Sequence, residues 1–420
     1  MSVRPTTAVA TRGRILALAL TATLALCLAP VPGAGAATGG TGTPGGSDPG
    51  SGGSGKTAFD RHGMWIWYVS RSEGGNLDRI VSRARRNGIG TVYIKSGDSN
   101  DTWSQFNRPL VARLHRGGLD VCAWQFVYGN HPLGEAKVGA ASVRRGADCL
   151  VIDAEASYEG RYASADRYVR ALRARIGRAF PVSLAGFPYV DYHPSFPYSV
   201  FLGPGGAQYN QPQMYWDAIG TSVRTVFEHT YFYNRVFGRP IYPLGQTYGG
   251  VGPVQLKRFR RFAVNYGDGP PSWWDWQETS ARQWDALGSA VPGPIAGYRK
   301  VTGNPTLSRG SRGDLVVWAQ QHLAAAGSRR LPITGIFGRR TYAAVRSFQS
   351  ARGLPASGVI GQRTWRRLLR VRPVRVRWGV RPKNRVARLA GASASTASPR
   401  EPLSATLPAR AYEIDPGPRP

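Results

Sequence analysis

The sequence predicts an α/β protein, a (β/α)8 barrel followed by a small all-α domain, and three observations predict it. Eight short apolar or aromatic runs recur over residues 60–290, with longer amphipathic stretches between several of them. That alternation is what βαβ units produce. A shorter helical block over 305–370 carries an internal echo, Gly335-Ile336-Phe337-Gly338-Arg339-Arg340-Thr341 and then Gly358-Val359-Ile360-Gly361-Gln362-Arg363-Thr364. A stretch near 288–305 holding Pro292, Pro294 and Pro305 separates the two. The chain has 420 residues, 42% of them hydrophobic, with 12 Trp, 19 Tyr and 14 Phe. That is ample for a large core, so a wholly disordered protein is excluded.

The elements follow in order. Arg4, Arg12 and Arg14 precede an apolar run from Ile15 to Ala29, then Pro30, Pro32 and Ala34-Gly35-Ala36. A positive start, an apolar middle and a small-residue site make a secretory signal over 1–36, cut after Ala36. The run falls short of the roughly 20 residues a membrane span needs, so no stable membrane insertion is expected. Residues 37–59 read as a Gly/Ser/Pro linker. Strands are expected at Met64–Val69, Thr91–Lys95, Val121–Val127, Cys149–Glu155, Val182–Phe187, Gln213–Trp216, Ile241–Gln246 and Trp273–Gln277. Amphipathic segments fall at Asn76–Asn87, Pro109–Gly117, Glu135–Gly146 and Ala163–Gly177. Asn87-Gly88 and Arg116-Gly117-Gly118 supply helix-ending glycines just before a strand. Eight such units fit a TIM barrel. The loop Pro188–Gln211 after the fifth strand is rich in Tyr, Phe, Pro and Gly and is expected to shape a groove on the catalytic face. Residues 371–420 mix Arg, Pro, Ala and Ser without periodicity and read as a basic disordered tail.

Charge is lopsided, 55 Lys and Arg against 24 Asp and Glu, a formal net charge of +31. The excess concentrates late: 14 basic residues against one acidic over 291–370, and 10 against 3 over 371–420. A polyanionic partner is expected there, and nucleic acid, anionic lipid and an acidic cell wall all fit on charge alone. The export signal argues against nucleic acid and for an extracellular, wall-associated monomer. After signal removal Cys122 and Cys149 remain, either as one disulfide or as two buried thiols. The six histidines, at 62, 115, 131, 193, 229 and 322, show no metal-ligand spacing, so neither metal nor cofactor is expected.

One strand carries chemistry. Asp153 and Glu155 end the run Asp148-Cys149-Leu150-Val151-Ile152-Asp153-Ala154-Glu155. Two residues apart, their side chains share a face, roughly 6.6 Å apart along the backbone. They sit at the strand's C-terminal end, where barrel enzymes keep their catalytic groups. Inward carboxylates are costly unless used or paired. Close carboxylates also push one pKa upward, as a general acid near neutrality requires.

Two resemblances extend this reading. The block Leu307–Leu369 resembles the peptidoglycan-binding three-helix module of wall hydrolases. The residues that carry the likeness are Gly310, Gly313, Val316, Gln320 or Gln321, and Leu323; Gly335, Phe337, Gly338, Thr341, Ala344, Val345, Phe348 and Gln349; and Gly353, Leu354, Gly358, Gly361, Thr364, Trp365 and Leu368. The Asp that usually precedes each turn glycine is here Thr334 and Ser357, whose hydroxyls can still bond a turn amide. Val316, Leu323, Val345, Phe348 and Leu368 are expected in the core. The ligand surface is expected at the turn Gly335–Thr341, with Arg339, Arg340 and Arg346 facing phosphate or carboxylate on the wall.

The fourth strand resembles the D-x-E strand of family-18 chitinases, with Asp148, Asp153 and Glu155 in step and Val151 departing from the pattern. It is also similar to that of family-25 lysozymes, although Met64-Trp65-Ile66-Trp67-Tyr68 lacks their first-strand Asp. Trp273-Trp274-Asp275-Trp276-Gln277 resembles the W-Q ending of the latter. Gln213-Met214-Tyr215-Trp216-Asp217 resembles the chitinase M-x-Y-D run with different spacing. The resemblance implies Glu155 as the acid, Asp153 as the group orienting a substrate acetamido, and Tyr215 as its holder. It also implies Trp274 or Trp276 as a sugar platform and Gln246, Gln125 and Asp217 as weaker subsite residues, while Lys95 pairs with Asp153 or Glu155. The expected function is peptidoglycan binding with hydrolysis of a β-linked N-acetylhexosamine glycan. The alternative is a non-catalytic peptidoglycan-binding protein with an inert barrel.

Overall fold

The computed structural model describes residues 56–290 and 293–379. The expected signal, the linker up to residue 55 and the tail from 380 onward lie outside the described residues.

Eight parallel strands form the barrel: β1 (Gly63–Ile66), β2 (Thr91–Asp98), β3 (Asp120–Val127), β4 (Cys149–Ala154), β5 (Val182–Ala185), β6 (Tyr209–Asn210), β7 (Leu244–Gln246) and β8 (Ser272–Trp274). Each pairs with its sequence neighbour from β1 to β6, β7 pairs with β8, and β8 returns to β1. Single parallel bridges, Asn210 to Ile241 and Gln213 to Leu244, close the ring between β6 and β7. The short segment Asp101–Thr102 folds back antiparallel on the end of β2. Inside the ring Trp65, Trp67, Trp124 and Trp274 form one buried cluster. Trp274 lies 5.7, 5.6 and 5.2 Å, ring centre to ring centre, from Trp65, Trp67 and Trp124. The barrel is a packed core rather than a pore.

The outer ring comprises α1 (Leu77–Arg86), α2 (Arg108–Arg116), α3 (Pro132–Arg144), α4 (Tyr162–Ile176), α5 (Tyr198–Phe201), α6 (Val223–Asn234), α7 (Pro253–Tyr266) and α8 (Ala281–Gly288). Local sequence explains α1. The Asn76 side chain accepts from the amides of Asp78 and Arg79, Ile80, Val81 and Ala84 give it a buried face, and Gly88 at φ 66° turns the chain into β2.

Two expected strands are placed differently. The sixth is Tyr209–Asn210, not Gln213–Trp216. Pro212 has no N–H to continue a ladder, which leaves Gln213 with one isolated bridge. The eighth ends at Trp274, and the Asp275 carboxylate accepts from the Glu278 amide to start a turn. Cys122 and Cys149 face each other in the β3–β4 register and form a disulfide, Cα to Cα 4.6 Å.

The helical domain consists of α9 (Asp314–Ala325), α10 (Arg339–Ala351) and α11 (Gln362–Leu368). It is not a bead on a string. The fifth barrel unit has only the four-residue α5, and α9 packs on it. Every residue from Asp314 to Ala324 is buried. A helix buried all round is core, and α9 is enclosed by α5 on one side and α10 and α11 on the other. The Asp314 carboxylate accepts from the Ser199 amide at 2.7 Å and the Ser199 hydroxyl at 2.6 Å, and Trp318 Nε1 donates to the Val236 carbonyl at 2.7 Å. The loop expected to shape a catalytic groove therefore spends much of its length as this docking seat.

Residues 371–379 also depart from the disordered tail expected there. The Val374 amide bonds to the Gln321 carbonyl, and the Trp378 amide to Asp166. The Trp378 ring is buried against Tyr162, 4.7 Å between centres. Two apolar anchors, Val374 and Trp378, hold an otherwise arginine-rich strap across α4 and α9.

Candidate functional site

At the C-terminal end of β4, Asp153 and Glu155 lie side by side as their spacing requires, 5% and 6% exposed. Gln213, delivered by the turn after β6, is the bridge between them. Its amide Nε2 donates to Asp153 Oδ1 at 3.0 Å and to Glu155 Oε1 at 3.0 Å. Burial raises both carboxyls, pushing Glu155 up to about 7. Asp153 is driven further by the charge of Glu155, while Lys95 and the Gln213 hydrogen bond pull both back. The pair therefore titrates as a unit and retains a proton near neutrality.

Lys95 does not form an ion pair with either carboxylate. A bulge after it in β2 turns Asp98 toward it, and Nζ bonds Asp98 at 2.8 Å. The ammonium sits over the rings of Trp124 and Trp103, 4.7 and 5.1 Å from their centres. Tyr215 belongs to the same environment: burial raises its pKa, and Asp153 and Glu155 add to the shift.

The other expected subsite residues have structural employment. Trp274 is packed into the interior cluster. Trp276 is buried edge-on against Trp284 at 4.8 Å, its Nε1 donating to Glu73. Neither offers the open face a sugar platform needs. Gln246 accepts from the Asp217 and Ala218 amides and donates to the Tyr248 carbonyl, tying together the turns above β6 and β7. Gln125 lies on the outer face of β3, donating to the Ser99 and Glu135 carbonyls and accepting from Tyr168. Both are fully buried. Asp217 is exposed and accepts from the Gly250 amide.

The sequence reading missed the bridging role of Gln213, along with Asp98, Tyr128 and Asp275. Burial and the charges of Asp98, Glu155 and Asp153 raise the Tyr128 pKa, which sets it beside the pair. Asp275 is fully buried with Oδ2 unpartnered, its pKa raised by burial and by Glu278. Gln213 and Asp275 both stood in runs singled out for other residues. Among the described residues no three His, Cys, Asp or Glu come together as metal ligands.

The helical domain explains its echo. Gln320 Oε1 accepts from the Thr334 and Gly335 amides, and Nε2 donates to the Ile336 carbonyl and Thr341 Oγ1. Gln349 repeats this one turn later, accepting from the Gly358 amide and donating to the Val359 carbonyl and Thr364 Oγ1. Of the two candidates, Gln320 rather than Gln321 is the motif glutamine. Thr334 and Ser357 accept from the Ile336 and Val359 amides, as expected of the residues replacing Asp. Arg339 and Arg340 are exposed on the first turn of α10, while Arg346 donates to the Ala356 carbonyl.

Residues 312–368 match the family model described as "Putative peptidoglycan binding domain". No curated protein matches the chain. Among solved structures, it is similar to the spore cortex-lytic enzyme SleL of Bacillus cereus, at 10% identity and TM-score 0.41, covering 56% of this chain and 75% of that one. It is also similar to the C-terminal domain of a putative chitinase of Desulfitobacterium hafniense, at 8% identity and TM-score 0.43, covering 55% and 98%. A family 25 glycosyl hydrolase of Bacillus anthracis aligns at 12% identity and TM-score 0.27, covering 38% and 76%.

Proposed function

We propose a secreted, wall-associated protein that binds peptidoglycan through its C-terminal peptidoglycan-binding domain and hydrolyses β-linked N-acetylhexosamine glycan at the mouth of its (β/α)8 barrel. Among the described residues no helix is long and apolar enough to cross a membrane. The observation that carries the catalytic half is the buried pair Asp153 and Glu155 joined through one amide of Gln213. Glu155, held up to about 7, keeps its proton up to near neutrality and gives it to the glycosidic oxygen as the C1–O bond breaks. The substrate's acetamido oxygen closes on C1, oriented by Asp153 and Tyr215. Water then opens the ring so formed, with Glu155 taking its proton back.

A second reading rests on a specific observation. Gln213 satisfies both carboxylates from within the protein and leaves them 5–6% exposed, as a closed structural network would. In that reading the barrel is inert and the protein only binds the wall.

Reducing-end release from purified peptidoglycan and chitin oligosaccharides, by wild type and Glu155→Gln, separates the two. The expected result is release by wild type and a loss of roughly 10²–10⁴-fold in the variant. If wild type releases nothing between pH 4 and 8 yet sediments with the wall, the catalytic reading falls.

A further inference from the structure

A cavity of about 530 Å³ lies at the end of the barrel opposite the carboxylate pair. His62, Gly88 and Pro271 on its wall precede β1, β2 and β8, whereas Asp153 and Glu155 stand at the C-terminal end of β4. The rest of the wall is largely apolar. Helix α7 supplies Ala263 and Val264, and α8 supplies Leu287. Val264 is 45% exposed, an apolar side chain at the rim. Gly88 and Gly267, at φ 66° and 74°, present bare backbone and so leave the space open.

Arg260 is the only charged side chain among the described residues that line this cavity, and it is 6% exposed. Its Nη1 donates to the Ala286 carbonyl at 2.7 Å and to the Ser289 hydroxyl at 3.3 Å. Those two bonds fix the guanidinium plane. Nε and Nη2 bond to no described residue, and neither is sealed from the surface. Together they form the guanidinium edge whose two parallel N–H bonds meet both oxygens of one carboxylate. His62 adds no charge. Its Nε2 accepts from Trp273 Nε1 at 2.6 Å, and burial and then the Arg260 charge lower its pKa to about 3.

One guanidinium edge set in an apolar wall matches one planar carboxylate on an apolar body. A polyanion would bring charges into the cavity that this wall cannot meet. The volume of about 530 Å³ holds at most roughly 18 water-sized groups of ~30 Å³ each, which leaves room for octanoate. We propose that this cavity binds an aliphatic monocarboxylate, its carboxylate on the Nε–Nη2 edge of Arg260 and its chain along Ala263, Val264 and Leu287. The site is separate from the carboxylate pair and does not depend on the reading of the barrel mouth as an active site.

The test is calorimetric titration of the full chain with octanoate. Acetate, which has the charge without the body, and 1-octanol, which has the body without the charge, are the comparators. Octanoate is expected to bind wild type at least about tenfold more tightly than either. Arg260→Lys keeps the charge and loses the planar edge, and is expected to weaken octanoate about tenfold. Val264→Glu sets a like charge at the exposed rim and should weaken it to a similar degree without touching the buried wall. Val254→Glu makes the same charge change on α7 at a position 79% exposed and outside the cavity, and should leave binding unchanged. Saturation transfer to the octanoate methyl protons, seen with wild type and lost with Val264→Glu, gives a second readout that does not depend on heat. The proposal is overturned if octanoate fails to bind at millimolar concentration, or if 1-octanol or acetate matches it. Equal weakening by Val264→Glu and Val254→Glu also overturns it, because binding would then be to the surface at large.

Discussion

Glu155 at the barrel mouth and Asp314 at the seam between barrel and helical domain are two buried carboxyls, each pushed up to about 7 by burial. Their surroundings are unlike. Asp314 is fully buried with no second carboxyl beside it; its oxygens accept from the Ser199 amide and hydroxyl, and Tyr162 also pulls its pKa down. Glu155 has a second carboxyl beside it, shares with it a single amide donor, and retains a little exposure. A raised pKa therefore does not distinguish a docking contact from a reacting group. What distinguishes them is the company: a lone acid saturated by local donors holds a seam, whereas a coupled pair keeps a mobile proton at a strand end.

The sharpest way to break this comparison is to remove one carboxyl at a time. Glu155→Gln is expected to abolish glycan cleavage while leaving the melting temperature within about 2 °C of wild type, since Gln keeps the shape and an acceptor for Gln213. Asp314→Asn is expected to leave turnover intact and to alter stability in a pH-dependent way. The native Asp314 pKa, about 7, lies above the unfolded value of 3.8. The stability it contributes is therefore fully present below about pH 4 and is lost as pH rises through 7, by at most about 4 kcal/mol. Denaturant unfolding of both proteins at pH 4 and pH 8 should show wild type losing ground to the variant at the higher pH. A constant difference between them would mean that Asp314 is ionised in the native protein throughout.

Much of this architecture was legible because it rests on patterns of short range. Alternating apolar runs gave the eight barrel units, and the spacing of Asp153 and Glu155 on an apolar strand placed both at its C-terminal end. The Gly335 and Gly358 echo marked two equivalent turns. What the sequence hid depends on long-range contact. Gln213 lies about 60 residues from the carboxylates it bridges, and the bulge that gives Lys95 to Asp98 leaves no mark in composition. Helix α9 reads as part of a separate domain because nothing local announces that it docks on α5. Trp274 and Trp276 show the converse error. An aromatic-rich strand fits a sugar platform or a packed barrel equally well, and only burial decides between them.

The module glutamines test the same lesson at smaller scale. Gln320→Ala strips a buried turn of partners for two amides, a carbonyl and a hydroxyl, and is expected to cost about 2–3 kcal/mol in chemical unfolding. Gln349→Ala removes fewer such bonds and should cost less. Neither should move the pH dependence of any activity.

Gln213→Ala should do the reverse, and it is the finest discrimination available. Its hydrogen bonds lower the pKa of both Asp153 and Glu155, so without them the pair holds its proton more tightly. Activity that requires a protonated Glu155 falls as pH rises through about 7 in wild type. In the variant that basic limb should move to higher pH, with the rate below it reduced about tenfold by loss of positioning. If the rate falls and the limb stays in place, Gln213 only packs the site. A limb that moves while the unfolding midpoint does not would assign this amide to the chemistry of the pair, in contrast to the glutamines that hold the module's turns.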